Sequence, residues 1–447
     1  MGAGPAGLAC ALLLARAGRK VELFEGADKL GGLWSTARDE QGFYLSENSC
    51  KVFQASYHSA PALFELLGTR WQDHFVPRHD LGRDWLRPFV RDSRVGDLAK
   101  LAAAYAAFRL GDRRLRDVSV GEWMERRRVS AGCRDWMRAT ALGGVAGTLR
   151  MTMWELCHRL RGNVLSVIKG GGGQLYWNRQ PPDAPGGFLE HWARGLSQHG
   201  VRLRLGTRVD GVERQGGGVR LRTPSGTLPN YDAAFLAVPP RGLAALLAAS
   251  EPAVAEGLAV NGTSVSTTLG ESLYEHLGVT WHFDQPLPRD LPLGGHNVRR
   301  HWHAILVQHD QYRPLLRAPT SSVVVGSVSL DTDFRHPRLG SRAADHDPAE
   351  LARIVWDDER SVDPSLPEPS RVVVHGLSDA TQVVRHGPLR VQSRHGPVFV
   401  ATSINGAAPY FTASLESAIQ AGAAAARAFD PSVLRLPTGP GPQVPWS

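Results

Sequence analysis

The hydrophobic pattern at the start of the chain predicts a helix followed by a strand. Residues 8–17 form an apolar run of helical length that ends at Gly18, and residues 21–24 resemble a short strand before Glu25. A glycine-rich turn, MGAGPAG, precedes the helix. Glycines at a helix N-terminus let backbone N–H groups approach a pyrophosphate, and Glu25 follows Gly7 at the spacing of a ribose-binding acid. The order of these elements therefore indicates a dinucleotide-binding unit.

In such a unit an apolar strand precedes the first glycine, but here only Met1 stands before Gly2. An upstream start, a truncation or a substitute segment would each account for this, and we favour the upstream start. A chain extended by the upstream codons is then expected to be more soluble and to load more cofactor. Equal loading would contradict the hypothesis.

The rest of the chain alternates between helical and strand-like patterns. A helical pattern covers residues 95–161, with Ser119 and Glu122 at capping-box spacing. Three short strands with glycine-rich turns are predicted over 201–223. The remaining predictions are strands at 42–53, 233–238, 279–283, 302–307, 322–330 and 398–401, and helices at 61–67 and 412–429.

Length and composition restrict the class of protein. At 447 residues the chain is long enough for two domains, and 42% hydrophobic with 21% charged residues is typical of a globular protein. No apolar run approaches the ~18 residues of a membrane span, and no signal peptide opens the chain. The four cysteines lack CxxC spacing, so we expect them to be reduced and structural in a cytoplasmic protein.

The net charge of +8 comes almost entirely from arginine. Because no nucleic-acid-binding motif accompanies it, we interpret the charge as a compositional bias and expect no nucleic-acid partner. The basic stretch at 109–116 beside an apolar helix leaves contact with a membrane surface open. A monomer and a homodimer are both compatible with the sequence.

Four motifs give this pattern a family resemblance. They are GAGPAG with Glu25 and GGLWST near the start, PGGFLEHWARGLSQHGVRLRLGTRVDGVE at 185–213, AFLAVPP at 234–240, and VFVATSINGAAPYFTASLESAIQAG at 398–422. As a set they resemble the superfamily of FAD-dependent amine oxidases and phytoene desaturases. The resemblance implies an α/β fold with a Rossmann-like FAD-binding domain of the GR2 type and an inserted α+β substrate domain.

The resemblance also implies how the chain divides. Residues 1–60, 185–248 and 386–432 would form a discontinuous FAD-binding domain. Residues 61–184 and 249–385 would form the substrate domain, which includes the helical insertion, and a Pro-rich tail follows at 433–447.

By the same resemblance, particular residues hold FAD. The implied contacts are Gly2, Gly4 and Gly7 for the pyrophosphate, Glu25 for the adenosine ribose, Gly31, Gly32 and Thr36 for the phosphate region, the Val209 backbone for the adenine edge, and Ser403 for the ribityl chain. The last long helix would begin at Leu415 and Glu416 and point its N-terminus at the flavin. Its dipole would stabilise negative charge on the reduced ring.

Four departures from the family pattern narrow the range of candidate reactions. Family members usually carry an acid in the segment 401–403, where this chain offers Ser403 instead. No cysteine follows Cys157, which excludes the usual covalent flavin linkage, and no lysine follows Lys169 to serve near flavin N5. The position of the usual cage tyrosine is Ser414.

The candidate catalytic residues are Lys51, Tyr410 and Phe411. Lys51 aligns roughly with a polar residue over the flavin face and would act as a base if burial lowered its pKa, the alternative being a surface lysine. Tyr410 and Phe411 would form an apolar wall for the substrate, or simply belong to the core. His301 and His303 share a strand face without a third ligand, so we predict no metal site. The tetraglycine at 170–173 is interpreted as a loop over the substrate path.

These observations predict an FAD-dependent oxidoreductase that removes a hydride from a C–H bond of a small amine or of an apolar biosynthetic intermediate. The absence of a second dinucleotide fingerprint argues against an NADPH-dependent monooxygenase. Two alternatives stay open. One is a desaturase or isomerase of a polyene or isoprenoid, and the other is a non-redox protein that keeps FAD as a structural element.

Overall fold

The computed structural model describes residues 1–438 apart from 56, 81, 140–148, 158–173, 261, 293, 297–303, 331–334, 382–387 and 408–413. The helices are α1 (Pro5–Arg16), α2 (Ser59–Leu66), α3 (Trp71–His74), α4 (Arg87–Asp92), α5 (Val95–Arg109), α6 (Val120–Arg126), α7 (Ala131–Ala139), α8 (Phe188–Gln198), α9 (Pro240–Ala248), α10 (Pro252–Leu258), α11 (Val265–Ser272), α12 (Pro348–Val362) and α13 (Leu415–Phe429). The strands are β1 (Glu22–Phe24), β2 (Thr36–Arg38), β3 (Tyr44–Glu47), β4 (Phe53–Gln54), β5 (Phe75–Asp80), β6 (Gln174–Asn178), β7 (Arg202–Arg204), β8 (Gly211–Gln215), β9 (Gly218–Thr223), β10 (Gly226–Tyr231), β11 (Ala234–Leu236), β12 (Leu273–Phe283), β13 (Ala304–Gln308), β14 (Ser322–Ser329), β15 (Arg371–Thr381) and β16 (Val398–Val400).

The first layer of the fold consists of two parallel strand pairs, β1 with β7 and β11 with β16. The main chain of Met1 and Gly2 joins them. The Met1 amino group donates to the Phe235 carbonyl oxygen at 2.9 Å, and the Ala237 N–H donates to the Met1 carbonyl oxygen at 2.8 Å. On the other side, the Gly2 N–H donates to the Phe24 carbonyl oxygen at 2.8 Å. The glycine-rich turn therefore starts between the two pairs.

Helices α1 and α13 pack closely against each other beside this layer. All residues of α1 from Pro5 to Ala15 are buried, which explains the unbroken apolar run in the sequence. A Cβ on Gly422 of α13 would lie 2.1 Å from the Ala6 carbonyl oxygen, so only glycine permits this approach. The predicted first helix and last long helix are both confirmed. Together they hold the two ends of the chain in one core.

A second, antiparallel sheet has the order β13-β14-β12-β15. Helix α12 covers one face, where the Trp281 and Trp356 rings lie 5.9 Å apart and the Trp281 Nε1–H donates to the Ala352 carbonyl oxygen at 3.3 Å. Strand β3 crosses the sheet, and His282 Nε2 of β12 hydrogen-bonds the Leu45 carbonyl oxygen at 2.9 Å. The sequence predicted β13, β14 and the second half of β12, but missed the first half of β12 and all of β15.

The predicted helical insertion is confirmed over α5, α6 and α7, while residues 140–148 and 158–161 lie outside the described part of the chain. The capping box is present, since the Glu122 N–H donates to the Ser119 hydroxyl at 3.1 Å and the Ser119 N–H donates to the Glu122 carboxylate at 3.0 Å. Among the described helices, none is long and apolar enough to cross a bilayer.

A three-stranded antiparallel sheet, β4-β6-β5, was not predicted. Strand β5 contains Pro77, which has no N–H to donate, but β5 is an edge strand where a proline is tolerated. Its partner β6 follows the glycine run at 170–173, a stretch outside the described residues.

Candidate functional site

A cavity of about 840 Å³ extends from the glycine-rich turn to the open face of the four-stranded sheet. At one end Gly2, Gly4 and Glu25 line it, and at the other end Tyr274 and His276 do so. Because the two ends are continuous, a long cofactor and a substrate can share the space.

The glycine-rich turn forms one end of this cavity. Gly2 has a φ of +90°, and a Cβ there would lie 2.4 Å from the Ala237 carbonyl oxygen. Gly4 is the N-cap of α1, and a Cβ there would meet nothing within 4 Å. The turn thus presents open space at the positive end of the α1 dipole, which favours an anion.

The Glu25 carboxylate lies beside the turn and is oriented by two backbone groups. Its Oε2 accepts from the Ala3 N–H at 2.7 Å, and its Oε1 accepts from the Ala27 N–H at 2.9 Å. Each carboxylate oxygen keeps a further lone-pair direction for a hydroxyl donor. Val209 lines the same end of the cavity, as expected for a group near an adenine edge.

Four residues predicted to hold the cofactor are not among those that line the cavity, namely Gly7, Gly31, Thr36 and Glu416, and the two glycines have a structural reason for being glycine. At Gly7 a Cβ would lie 1.9 Å from the Gly2 carbonyl oxygen, so this glycine lets α1 approach the turn. At Gly31 a Cβ would lie 2.6 Å from Leu189 Cδ1 of α8. Their absent side chains shape the scaffold around the cavity.

Thr36 is fully buried, and its hydroxyl donates to Asp183 Oδ1 at 2.5 Å while its N–H donates to Asp183 Oδ2 at 2.9 Å. This ties the β2 hairpin to the turn before α8 and occupies the hydroxyl predicted for a phosphate. Gly32, its neighbour in the same motif, does line the cavity.

The start of α13 forms another part of the wall. Ser403, Ser414, Leu415 and Ala418 line the cavity. The Ser414 hydroxyl caps the helix by accepting from the Ser417 N–H at 3.1 Å. The positive end of the helix dipole therefore faces the cavity.

The Glu416 side chain contacts α2 and not the cavity. It is 1% exposed, and its carboxylate accepts from the N–H groups of His58, Ser59 and Ala60 at 3.1, 2.8 and 2.8 Å. The carboxylate therefore caps the N-terminus of α2. Burial raises the pKa of Glu416, although these hydrogen bonds and one from Gln420 act in the opposite direction.

Lys51 lies at the substrate end of the cavity in a buried ion pair. Its Nζ donates to Glu47 Oε2 at 2.9 Å and to the Ser49 carbonyl oxygen at 3.1 Å. The Lys51 residue is 8% exposed and Glu47 is fully buried. Trp34, which also lines the cavity, has its ring centroid 5.7 Å from Nζ.

The ion pair continues into a buried polar network. The Tyr312 hydroxyl donates to Glu47 Oε1 at 2.7 Å, and the His309 ring stacks on Tyr312 with centroids 4.5 Å apart. Burial lowers the pKa of His309 to about 4, so that this histidine is neutral near pH 7. The network anchors Glu47, and through it Lys51, to the segment that follows β13.

The open face of the sheet completes the cavity. His276 pairs with Ser329, and Ile305 pairs with Ser327, so strand alternation directs these side chains to one face. All four line the cavity, together with Tyr274. Burial, with a smaller contribution from the Lys51 charge, lowers the pKa of His276 to about 4.

Sequence reasoning missed Glu47, Tyr312 and the polar face of the sheet. The alternation of Tyr274 and His276 was a signal for a half-buried strand, but the prediction began only at residue 279. The predicted residues Tyr410 and Phe411 lie outside the described part of the chain, as do His301, His303 and the tetraglycine at 170–173.

Comparison with known proteins agrees with this arrangement. The sequence profile of flavin-containing amine oxidoreductases matches residues 5–429. The chain belongs to this family. It is therefore a flavin-dependent oxidoreductase, and the cofactor of the family is FAD. A search of curated protein sequences found no significant match.

Solved structures share the fold at low sequence identity. Cyclohexylamine oxidase from Brevibacterium oxydans superposes with a TM-score of 0.66 at 15% identity, over 97% of this chain and 98% of that one. Putrescine oxidase bound to putrescine gives 0.65 at 14%, over 96% and 97%. A putative protoporphyrinogen oxidase from Exiguobacterium sp. gives 0.58 at 18%, over 96% and 97%. These likenesses confirm the α/β fold with a Rossmann-like FAD-binding domain and a substrate domain.

Proposed function

We propose that this oxidoreductase removes a hydride from a C–H bond of a small substrate held against the face formed by β12, β13 and β14. The continuity of the cavity carries this proposal. A substrate on the sheet face shares one space with the glycine-rich turn and with the start of α13. A cofactor that spans from the turn to the helix would reach the substrate.

The residues at the nucleotide end fit FAD. Gly2 and Gly4 leave room for a pyrophosphate at the α1 N-terminus, Glu25 offers lone pairs to a ribose, and the Val209 backbone would meet the adenine. Ser403 and Leu415 would contact the flavin portion. When bound, FAD supplies an electron-poor ring system that accepts a hydride.

The side chains around the sheet face would orient the substrate and exclude water. Trp34, Tyr57 and Tyr274 provide aromatic surface, while His276 and Ser329 provide hydrogen-bonding groups. Lys51 would act as a fixed cation. A base requires the neutral amine, and removing the proton from Lys51 would leave the Glu47 carboxylate buried without its counter-ion.

The polar groups on the sheet face favour a small polar substrate over a long polyene. A polyene requires a tunnel lined throughout by apolar groups, whereas this wall carries His276, Ser327 and Ser329. We therefore favour a small substrate with polar groups, such as an amine or a functionalised biosynthetic intermediate. Desaturation of a long isoprenoid is the second candidate.

The test is anaerobic mixing of the FAD-loaded protein with a panel of amines and a panel of polyenes. Loss of the visible flavin absorbance with amines alone would support the proposal. Bleaching by polyenes alone would favour the desaturase. If the flavin spectrum is retained but no compound in either panel bleaches it, while dithionite does, the alternative of a structural FAD gains support.

A further inference from the structure

We propose that the Lys51 ammonium forms a binding subsite for a carboxylate of the substrate, so that the preferred substrate of this enzyme carries an acidic group. The inference rests on the proposed function, because it assigns the substrate class of the same cavity. It is drawn from the hydrogen bonds of Lys51, the placement of Glu47 behind it and the charges of the surrounding wall.

The hydrogen bonding of Lys51 is incomplete. An ammonium has three N–H donors. Two of them are directed to Glu47 Oε2 and the Ser49 carbonyl oxygen. Within the part of the chain that the structure describes, the third donor meets no acceptor, although the residue is 8% exposed and lines the cavity. A buried charged donor of this kind favours an acceptor on the ligand.

The paired carboxylate does not face the cavity. Glu47 is fully buried, accepts from Tyr312 on one oxygen and from Lys51 on the other, and is not among the lining residues. The ligand therefore meets the positive member of the pair. Glu47 acts as a positioning residue, which holds the Lys51 side chain in place.

The backbone around Lys51 is also held in place. A Cβ on Gly278 of β12 would lie 2.1 Å from the Asn48 carbonyl oxygen, so the segment that carries Glu47 and Lys51 lies directly on the sheet. This close approach fixes Lys51 relative to His276, two residues from Gly278 on the same strand. A preformed cation loses little conformational entropy when a ligand binds.

The surrounding charges favour an anion. The lining residues that the structure describes include two carboxylates, Glu25 and Asp210, both at the nucleotide end. Near Lys51 the wall carries neutral polar groups, since the lowered pKa of His276 keeps its ring uncharged near pH 7. Ser327 and Ser329 line the same cavity and offer hydroxyl donors to a bound carboxylate. A cationic amine without an acidic group would meet repulsion from Lys51.

Calorimetric titration of the FAD-loaded protein tests this without requiring turnover. Three ligands of similar shape are compared: phenylacetate, phenylacetamide and 2-phenylethylamine. We expect phenylacetate to bind about 10- to 100-fold more tightly than phenylacetamide, the range of one charge-assisted hydrogen bond, and 2-phenylethylamine to bind most weakly. Equal affinities for the acid and the amide, or tightest binding of the amine, would overturn the proposal.

The variants separate the subsite from general effects of charge. In Glu47→Gln/Lys51→Met both buried charges are removed, so no uncompensated carboxylate is left, and the preference for phenylacetate should disappear. Lys51→Arg keeps the cation and should keep the preference. Lys20→Met, which removes one exposed positive charge that does not line the cavity, should leave all three affinities unchanged.

The outcome is distinguishable from a failure of the proposed function. A flavin spectrum together with the phenylacetate preference, but without bleaching by any substrate, would contradict the oxidase and leave the anion subsite standing. Bleaching by substrates without any preference for the acid would contradict the subsite alone. Retention of the preference in the double variant would also contradict it.

Discussion

The two ends of the cavity are built in different ways. At the nucleotide end the walls are mostly backbone, namely the turn from Gly2 to Gly4, the N-terminus of α1 and the two N–H groups that orient Glu25. At the substrate end the walls are side chains from β12, β13 and β14, and the Lys51–Glu47 pair is anchored by Tyr312. The nucleotide end, which is built from backbone, is suited to groups that many nucleotides share, such as a pyrophosphate and a ribose. The substrate end, which is built from side chains, can discriminate between substrates.

The largest effect is expected from a substitution that disrupts the nucleotide end of the cavity and leaves the substrate end unchanged. Gly4→Asp would place a carboxylate where a Cβ has open space, at the site proposed for the pyrophosphate. Repulsion between like charges is expected to weaken FAD binding by several kcal/mol, on the order of 1,000-fold. FAD affinity is measured by titration of the deflavinated protein.

Gly4→Ala is the control, since a methyl group fits the same space without a charge. It should weaken FAD binding much less than Gly4→Asp does. Equal FAD affinity in the aspartate variant and the parent would place the pyrophosphate elsewhere.

The next largest effect is a loss of stability at the substrate end when the buried Lys51–Glu47 ion pair is broken. Lys51→Met alone leaves Glu47 buried without its partner in the ion pair, and should lower the free energy of unfolding by about 3–5 kcal/mol. Glu47→Gln/Lys51→Met removes both charges and should cost much less. Urea unfolding of both variants measures the difference, and equal losses would show that the charges are not coupled.

A smaller loss of stability is expected when the hydrogen bond that anchors the Lys51–Glu47 pair is removed. Tyr312→Phe removes the donor to Glu47 Oε1 and should lower the free energy of unfolding by about 1.5–3 kcal/mol, as for a hydrogen bond to a charged group. Tyr105→Phe is the matched control, because the Tyr105 hydroxyl is buried with no hydrogen-bond partner among the described residues. A loss of similar size in both variants would contradict the anchoring role of Tyr312.

The smallest effect is expected at Glu416 of α13, the helix whose start lines the cavity. Because burial raises the pKa of Glu416 above its usual 4.5, the folded state binds this proton more tightly than the unfolded state does. The stability from this group is therefore greatest below pH 4.5 and declines as the pH rises through the raised pKa. Unfolding at a series of pH values should show this decline in the parent and not in Glu416→Gln. Parallel profiles would contradict the raised pKa.

The difference between the two ends also explains which parts were predictable. Gly2, Gly4, Glu25 and Gly32 fall within one contiguous stretch, and backbone requirements give such a stretch a recognisable glycine spacing. Thr36 and Glu416 belong to equally recognisable motifs, but their side chains bond Asp183 and the start of α2. A motif identifies a position along the chain, and the partner of its side chain depends on distant segments.

The sequence by itself determined the α/β character, the glycine-rich turn with its acid, and the start of the last helix, because local periodicity and glycine spacing encode these features. Only the tertiary structure decided the rest. Glu47, which holds Lys51, accepts a hydrogen bond from Tyr312, and residues of β12 and β14 line one cavity with Gly32, although these segments lie far apart in sequence. Such contacts depend on how whole elements pack, and no local pattern records them.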